Sequence, residues 1–351
     1  MNVLIVTHSR DHHCTPLITR ALMARGATPW CFETDLFPSA VQLSLQADSR
    51  QQTLLLKTPL GQLDLAELQS CYYRRLRIGG GIPDSVPPAY REAAQKESRA
   101  QVLGLLHSLD CFQLDGYEKV RRADHKQLQL KVASHLGLEI PDSLSTNDPQ
   151  AVRDFFASHP QGIVGKMLSS FSIYEEGQEK VMFTNRIRAE DLEHLGGLQH
   201  GPMTFQALVP KALELRVTIV GERVFAAAID SQVNERAQTD WRREGRRMLQ
   251  DWRRHTLPGD IEAKLLALMD AFGLNYGAMD LILTPDGRHV FLELNPAGEF
   301  MWLEQHPGLP IADALADVLI GQAPRRSLPG LLAPDFFARE KRSPAKEPLT
   351  A

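Results

Sequence analysis

Cysteine is scarce in this sequence, and long apolar runs are missing. Only four cysteines occur among 351 residues, and no two of them form a Cys-x-x-Cys pair, which argues against a zinc site or a disulfide framework. Nowhere do about 18 apolar residues follow one another, and the short apolar stretch from Val3 to Val6 has no cleavage signal after it. We therefore expect reduced thiols, no membrane-spanning segment and a cytoplasmic location.

The sequence also lacks an excess of charge of either sign. Lysine and arginine number 39 against 43 aspartates and glutamates, for a net charge of −4. No basic stripe with interleaved aromatic residues is present, so nothing favours binding to nucleic acid or to an anionic membrane. The 43% of hydrophobic residues can fill the cores of two or three domains, and we expect a small molecule or a peptide as the partner.

The patterning predicts an α/β protein built from several units. Val3 to Val6 indicates a buried parallel strand, and the helix expected after it runs from Pro16 to Arg25. A long amphipathic helix is predicted from Ala89 to Leu109. The predicted divisions are an N-terminal α/β domain over 1–115, a central unit over 116–195, a C-terminal unit over 196–322 and a flexible tail over 323–351.

The central unit carries two lysines in regular elements. One helix, predicted from Lys119 to Gly137, contains Lys126, and a strand beginning at Gly162 contains Lys166. The small, polar stretch from Ser169 to Gly177 suits either a mobile lid over a ligand or a plain hairpin loop.

The most informative segment is a hairpin in the C-terminal unit. Asp286-Gly287 predicts a two-residue type I′ turn, which pairs Pro285 with Arg288 and, further out, sets Asp280 opposite Glu293. Met279, Leu281 and Leu283 then share the buried face with Val290, Leu292 and Leu294, whereas Asp280, Glu293 and Asn295 point the other way.

Two opposed carboxylates repel each other, and a hard cation would remove that cost. Magnesium is the usual choice where a phosphate supplies further ligands. The alternative is an exposed hairpin whose charges are solvated.

The order of these features resembles the ATP-grasp superfamily, in which ATP lies between two α+β subdomains. The resemblance implies an ATP-grasp fold behind an N-terminal α/β pre-grasp domain, with ATP and Mg²⁺, expected as two ions, as cofactors. Lys126 and Lys166 would bind the phosphates, and Glu214 would bind the ribose hydroxyls. The adenine edge would meet the backbone of Gln206, Ala207 and Leu208, and the metal would be held by Asp280, Glu293 and Asn295.

A closer resemblance covers most of the chain. Tyr72-Tyr-Arg-Arg75, His125-Lys-Gln-Leu-Gln-Leu130, Asp240-Trp-Arg242 and Glu293-Leu-Asn-Pro-Ala-Gly-Glu-Phe300 are similar to segments of the microviridin-type graspetide synthetases. This resemblance implies an ADP-forming ligase that closes side-chain rings in a ribosomal precursor peptide bearing a leader segment, and that forms a homodimer. The residues of these motifs are more similar to the branch that makes ω-esters from Asp or Glu to Ser or Thr than to the branch that makes ω-amides.

The expected chemistry begins with a peptide carboxylate that attacks the γ-phosphate of ATP to give an acyl phosphate. Arg216 could clamp the acyl phosphate or the substrate carboxylate, or it could simply pair with Glu214 or another neighbour. Arg242 is a second candidate, with a solvated position in a basic helix from Trp241 to Arg254 as the alternative. Arg74 and Arg75 receive no role.

Two other functions fit parts of the pattern. A ligase for free amino acids, like glutathione synthetase or the glutamate-adding enzymes, would keep the ATP site, and a non-catalytic ATP-binding module would need no substrate site. In the tail, Pro334 to Glu340 resembles the PFFAR segment of precursor leaders, interrupted by Asp335, so it could mimic a leader or form an inconsequential turn.

Overall fold

The computed structural model describes residues 1–168, 172–175, 178–181, 183–326 and 336. The N-terminal part contains β1 Asn2–Thr7, α1 Thr15–Ala24, β2 Thr28–Glu33, β3 Gln42–Ala47, β4 Gln52–Thr58, β5 Gly61–Asp64, β6 Leu68–Tyr73, α2 Pro88–Ser108 and β7 Phe112–Leu114. Strands β2, β1, β6 and β7 form a parallel sheet in that order, and β3 to β5 form an antiparallel sheet. Val3 to Val6 are fully buried, as expected of a central parallel strand.

The predicted helix from Lys119 to Gly137 is wrong in its continuity. Two helices occupy this range, α3 Tyr117–Ala123 and α4 Lys126–His135, separated at Asp124 and His125. Because of the break, Lys126 stands in the first turn of α4. That helix packs against the last strand of the C-terminal sheet.

The central sheet is antiparallel throughout. Its elements are β8 Ser143–Thr146, α5 Pro149–Ser158, β9 Ile163–Lys166, β12 Asn185–Ile187 and β13 Met203–Ala207, and its strand order is β12-β9-β13-β8. A separate hairpin joins β10 Ser172–Glu175 to β11 Gln178–Val181. Of the predicted lid or hairpin loop from 169 to 177, residues 169–171, 176 and 177 lie outside the described residues.

The C-terminal sheet has five antiparallel strands in the order β16-β15-β14-β17-β18. Its elements are β14 Leu213–Val220, β15 Arg223–Ile229, α6 Gly245–Met248, β16 Arg253–Arg254, α7 Gly259–Phe272, β17 Tyr276–Leu283, β18 His289–Asn295, α8 Met301–Gln305 and α9 Ile311–Leu319. The predicted basic helix from Trp241 to Arg254 is wrong: this range holds only short helical turns and β16.

The hairpin of β17 and β18 contains two differences from prediction that cancel. The turn is a three-residue loop closed by Thr284 and Arg288, with Gly287 at φ +87°, instead of a two-residue turn. A bulge then restores the register, so that Asp280 does face Glu293. Phe291, rather than Leu292, consequently lies in the core.

The fold class is confirmed as a mixed α/β architecture with several sheets, whereas the division at 115, 195 and 322 stays a prediction. None of the helices in the described ranges has the length and apolarity that crossing a bilayer requires. At the start of the predicted tail, Arg325 donates to the carbonyls of Val318 and Leu319 and the N–H of Arg326 donates to Asn275.

Candidate active site

A cleft of about 610 Å³ lies between the central and C-terminal sheets. This volume is typical of pockets for ligands of nucleotide size. All the predicted site residues line it: Lys126, Lys166, Gln206, Ala207, Leu208, Glu214, Arg216, Arg242, Asp280, Glu293 and Asn295. Tertiary structure therefore brings together side chains spread over about half of the sequence.

Three strands place a row of charged side chains on the floor of the cleft. Arg216 on β14 is paired with Asp280 on β17, which is paired with Glu293 on β18. The Nδ2 of Asn295 donates to one oxygen of each carboxylate, at 3.2 Å and 3.0 Å. Two carboxylates and an amide within this reach of each other are a hard donor set that suits Mg²⁺.

The electrostatics of the carboxylate pair also favour a cation. Burial and the charge of Glu293 raise the pKa of Asp280, in spite of Arg216 beside it. Burial also opposes ionisation of Glu293, but the positive charges of Lys126 and Lys166 hold the pKa of Glu293 below its usual range. A cation between the two groups would let both ionise. No third His, Cys, Asp or Glu joins them within the part of the chain that the structure describes, so phosphate oxygens would supply the remaining ligands.

Lys126 and Lys166 approach the pair from two elements. The Nζ of Lys126 donates to Asn295 Oδ1 at 3.0 Å and lies 3.4 Å from Glu293 Oε2. Lys166 stands at the end of β9, where burial lowers its pKa. Its amine has no hydrogen-bond partner among the described residues, so it is available to an anionic ligand such as phosphate.

Gln129, one turn after Lys126, fixes the strand that carries the metal-ligand candidates. Its fully buried side-chain amide accepts from the N–H of Leu294 at 2.8 Å and donates to the carbonyl of Leu294 at 2.7 Å. β18 is an edge strand, and Gln129 supplies the pairing that a further strand would otherwise provide. Leu294 lies between Glu293 and Asn295, so Gln129 holds both in place.

The predicted adenine contact needs a change of detail. The N–H groups of Ala207 and Leu208 donate to the carbonyls of Asp142 and Gly162, at 2.9 Å each, so the backbone carbonyls are the groups left for a base. The side chain of Gln206 donates to Ser143. Leu292, turned out of the core by the bulge, lines the cleft instead and offers apolar surface to a base.

Glu214 also lines the cleft and is mostly buried. Lys211 donates to the carboxylate of Glu214 at 3.0 Å, while burial raises the pKa of Glu214. Glu214 is therefore not the ion-pair partner of Arg216 that the sequence left open.

Arg216 is instead bound to the carboxylate of Asp280. Its Nη1 donates to both Asp280 oxygens, at 2.7 Å and 2.8 Å, and its Nη2 donates to the carbonyl of Glu299 at 3.1 Å. The guanidinium lies 5.5 Å from the ring centre of Trp302. Its Nε is buried from solvent and has no hydrogen-bond partner within the described ranges.

Arg242 makes a bidentate pair with Asp240, at 2.8 Å and 2.6 Å, and lines the cleft with its side chain about half exposed. Asp240 in turn accepts from the backbone N–H of Thr184, and its pKa is lowered by Arg242 although burial acts to raise it. Arg242 thus belongs to the cleft wall and not to a solvated helix.

The N-terminal part of the chain also contributes to the cleft. Arg75 lines the cleft and pairs with Glu299 at 2.7 Å, and the fully buried Arg74 pairs with the same carboxylate at 2.8 Å. Sequence reasoning quoted both arginines from a motif but could not find their partner, which lies more than 220 residues away.

Comparison with known proteins gives this arrangement a family. Residues 2–121 match the MvdD pre-ATP grasp domain. The macrocyclase MdnC from Microcystis aeruginosa MRC, solved with the precursor peptide MdnA, is 46% identical; the match covers 92% of this chain and all of that one, with a TM-score of 0.83. A RiPP-associated ATP-grasp ligase from Chryseobacterium gregarium, solved with ADP and a leader and core peptide, is 37% identical, covers 93% of this chain and 98% of that one, and has a TM-score of 0.89.

The chain belongs to the graspetide synthetases. A curated human relative, N-acetylaspartylglutamate synthase A, is 23% identical over 264 residues, which is 72% of this graspetide synthetase but only 64% of that protein. The resemblance seen in the sequence motifs is thus confirmed at the level of family and fold.

Among the residues that sequence reasoning missed in this graspetide synthetase are Gln129, Glu299 and Trp302. Glutamine carries no charge signal, and only the packing of α4 on β18 shows what Gln129 does. Glu299 could have been noticed as the second acidic residue in Glu293-Leu-Asn-Pro-Ala-Gly-Glu-Phe300, but its partners come from the N-terminal domain.

Proposed function

We propose that this chain is an ADP-forming ligase that uses ATP and Mg²⁺ to close ester rings in a ribosomal precursor peptide, joining Asp or Glu side chains to Ser or Thr hydroxyls. MdnC bound to MdnA, and the Chryseobacterium gregarium ligase bound to ADP with a leader and core peptide, support a peptide substrate and a nucleotide.

In this proposal different residues of the cleft bind different parts of the nucleotide. Lys126 and Lys166 bind the phosphates, Glu214 binds the ribose, and Asp280, Glu293 and Asn295 hold magnesium. Bound magnesium supplies charge neutralisation at the transferred phosphoryl group. The base lies against Leu292 and the carbonyl side of Gln206 to Leu208.

The first step transfers a phosphoryl group to the peptide. A side-chain carboxylate oxygen of the peptide attacks the γ-phosphate, ADP leaves, and an acyl phosphate is formed. Arg216 lines the cleft beside Asp280, and its positive charge orients the carboxylate. Arg242, held by Asp240, adds positive charge to the same wall.

One observation favours a hydroxyl over an amine as the acceptor. Within the described part of the chain, every carboxylate that lines the cleft already faces a cationic side chain: Asp124 with Arg121, Glu214 with Lys211, Asp240 with Arg242, Asp280 with Arg216, Glu293 with Lys126, and Glu299 with Arg74 and Arg75. A lysine acceptor enters as an ammonium and needs an unpaired anion to attract and deprotonate it. A neutral hydroxyl needs no such counter-charge.

The experiment is incubation of the protein with ATP, Mg²⁺ and the MdnA peptide, followed by mass spectrometry. We expect ADP release and the loss of one water per ring, and rings that open under mild alkaline hydrolysis as esters do. Rings that resist hydrolysis would assign the protein to amide formation. ADP release with free amino acids but not with the peptide would favour a ligase like glutathione synthetase.

Two further expectations stay predictions. A homodimer is expected from the family resemblance, and sedimentation of the purified protein would test it. A cytoplasmic location is supported by four free cysteines, and fractionation of the native cells would test it.

A further inference from the structure

Arg75 is a cation on the cleft wall with unused donors. It follows β6 directly, and its side chain is 35% exposed. Its Nη2 lies 2.7 Å from Glu299 Oε1 and donates to the carbonyl of Ala297 at 3.3 Å. Its Nε and Nη1 have no partner among the described residues, so Nη2 is fixed while the other two nitrogens keep N–H groups for a ligand.

A buried frame holds Arg75 in this orientation. The second oxygen of Glu299 accepts from Arg74 at 2.8 Å and from the thiol of Cys14 at 2.7 Å. Arg74 donates in turn to Asp11 at 2.5 Å. Burying an arginine between two carboxylates contributes little to stability on balance, so the frame is better explained by the precise placement that a reaction needs.

Arg75 and Arg216 both bind Glu299. Arg216 donates to the backbone carbonyl of Glu299, whereas Arg75 pairs with its side chain. A Cβ at Gly298 would come within 2.5 Å of the Ala278 side chain and 3.1 Å of Arg216, so this segment is closely packed. The two arginines therefore line the cleft next to the same segment.

The two arginines differ in what else they contact. Arg216 is bound to Asp280, on the side of the metal and the phosphates. Arg75 contacts none of the lysines or carboxylates of that side among the described residues. Its free donors therefore stand outside the ion pairs that surround the metal-ligand candidates.

We propose that Arg75 is a catalytic residue of the ring-closing step, which rests on the function proposed above. In that step the hydroxyl oxygen of the peptide forms a bond to the acyl carbon, and the bond from that carbon to the phosphate oxygen breaks. The hydroxyl proton leaves on the departing phosphate. Arg75 donates to the acyl oxygen, which carries the negative charge while carbon holds four substituents.

The test separates the two half-reactions in the full-length enzyme with ATP, Mg²⁺ and MdnA. Hydroxylamine traps the acyl phosphate and measures the first step, while water loss by mass spectrometry measures ring closure. For Arg75→Ala we expect trapping within about threefold of the unaltered enzyme and ring closure reduced about 100-fold, the usual effect of removing one oxyanion donor. ADP released per ring should rise because the stranded acyl phosphate hydrolyses.

Two variants accompany this measurement. Arg75→Lys keeps the positive charge but not the planar set of guanidinium donors, and it should recover part of the ring closure. Arg77→Ala is the matched control, since its side chain is exposed and, among the described residues, it forms a hydrogen bond only through its backbone N–H, to Thr34. Both half-reactions should be unchanged.

Three results would overturn the role of Arg75. They are a parallel fall of trapping and ring closure, ring closure that survives in Arg75→Ala, and an equal loss in Arg77→Ala. Failure of the unaltered enzyme to trap any acyl phosphate would instead reject the proposed function itself.

Discussion

Replacing Gln129 with methionine tests whether a side chain outside the cleft controls the metal ligands. Methionine has a similar length but neither donates nor accepts as the amide does. The N–H of Leu294 would lose its buried acceptor, at about 1–3 kcal/mol, and the carbonyls of Leu294 and Ala123 would each lose a hydrogen bond worth about 0.5–1.5 kcal/mol. We expect the free energy of unfolding to fall by about 2–6 kcal/mol.

The more specific effect is on magnesium. Leu294 stands between Glu293 and Asn295, so a loosened strand moves both ligand candidates. Changes in groups that orient metal ligands typically reduce metal affinity about 10–100-fold. Calorimetric titration of Mg²⁺ into the protein with ADP should show this loss, while ADP binding without Mg²⁺ should change much less.

Controls on the same helix make the measurement decisive. Gln129→Glu can still accept from Leu294 N–H but cannot donate to its carbonyl, so its Mg²⁺ affinity should lie between those of the native protein and Gln129→Met. Gln127 is exposed on the same helix, and Gln127→Met should behave as the native protein. If Gln129→Met lowers stability but leaves the Mg²⁺ affinity unchanged, Gln129 is structural only and the reasoning is refuted.

Three other predictions concern the metal site, the tail and a buried acid. Glu293→Gln should lower ADP production at least about 100-fold while the circular dichroism spectrum stays unchanged, and surviving turnover would disprove the magnesium assignment. Truncation after Arg326 keeps the contact of Arg326 with Asn275 and removes Phe336, whose ring lies 4.9 Å from that of His135. If the truncated and the full-length protein have the same activity, both with and without added leader peptide, the leader-mimic hypothesis is eliminated. The rest of the proposed mimic segment lies outside the described residues. Burial raises the pKa of Asp115 to about 6, although Asn275 and Tyr276 donate N–H groups to it. Because the pKa of Asp115 is higher in the folded state than in the unfolded state, its contribution to stability is complete below about pH 4. The contribution is lost as the pH rises through about 6. Asp115→Asn should flatten this part of the curve in denaturant titrations, and an unchanged slope would contradict the assignment.

Local sequence patterns were enough to predict the elements that form the metal site. Alternation along 276–283 and 289–295 predicted both strands, and the turn residues between them predicted the hairpin. The facing of Asp280 and Glu293 was correct even though the turn has three residues, because the bulge shifts the register back by one. Propensity could predict the hairpin but not the bulge, since the bulge depends on how the strand packs against the core.

Helix continuity was less predictable. A hydrophobic pattern continues from Lys119 to Gly137, yet the chain breaks at Asp124 and His125 so that Lys126 begins a new helix beside β18. Tertiary contacts decided this, because a first-turn position lets the Lys126 amine reach Glu293 and Asn295.

The sequence by itself determined the α/β class, the hairpin with its opposed carboxylates, and the residue types that identify the family. Only the tertiary structure decided that Arg216 pairs with Asp280, that Gln129 completes the edge of β18, and that Arg75 and Arg74 share Glu299. These contacts join residues 64 to 225 positions apart. Local propensity carries no information at that range, and the relative placement of the sheets sets them instead.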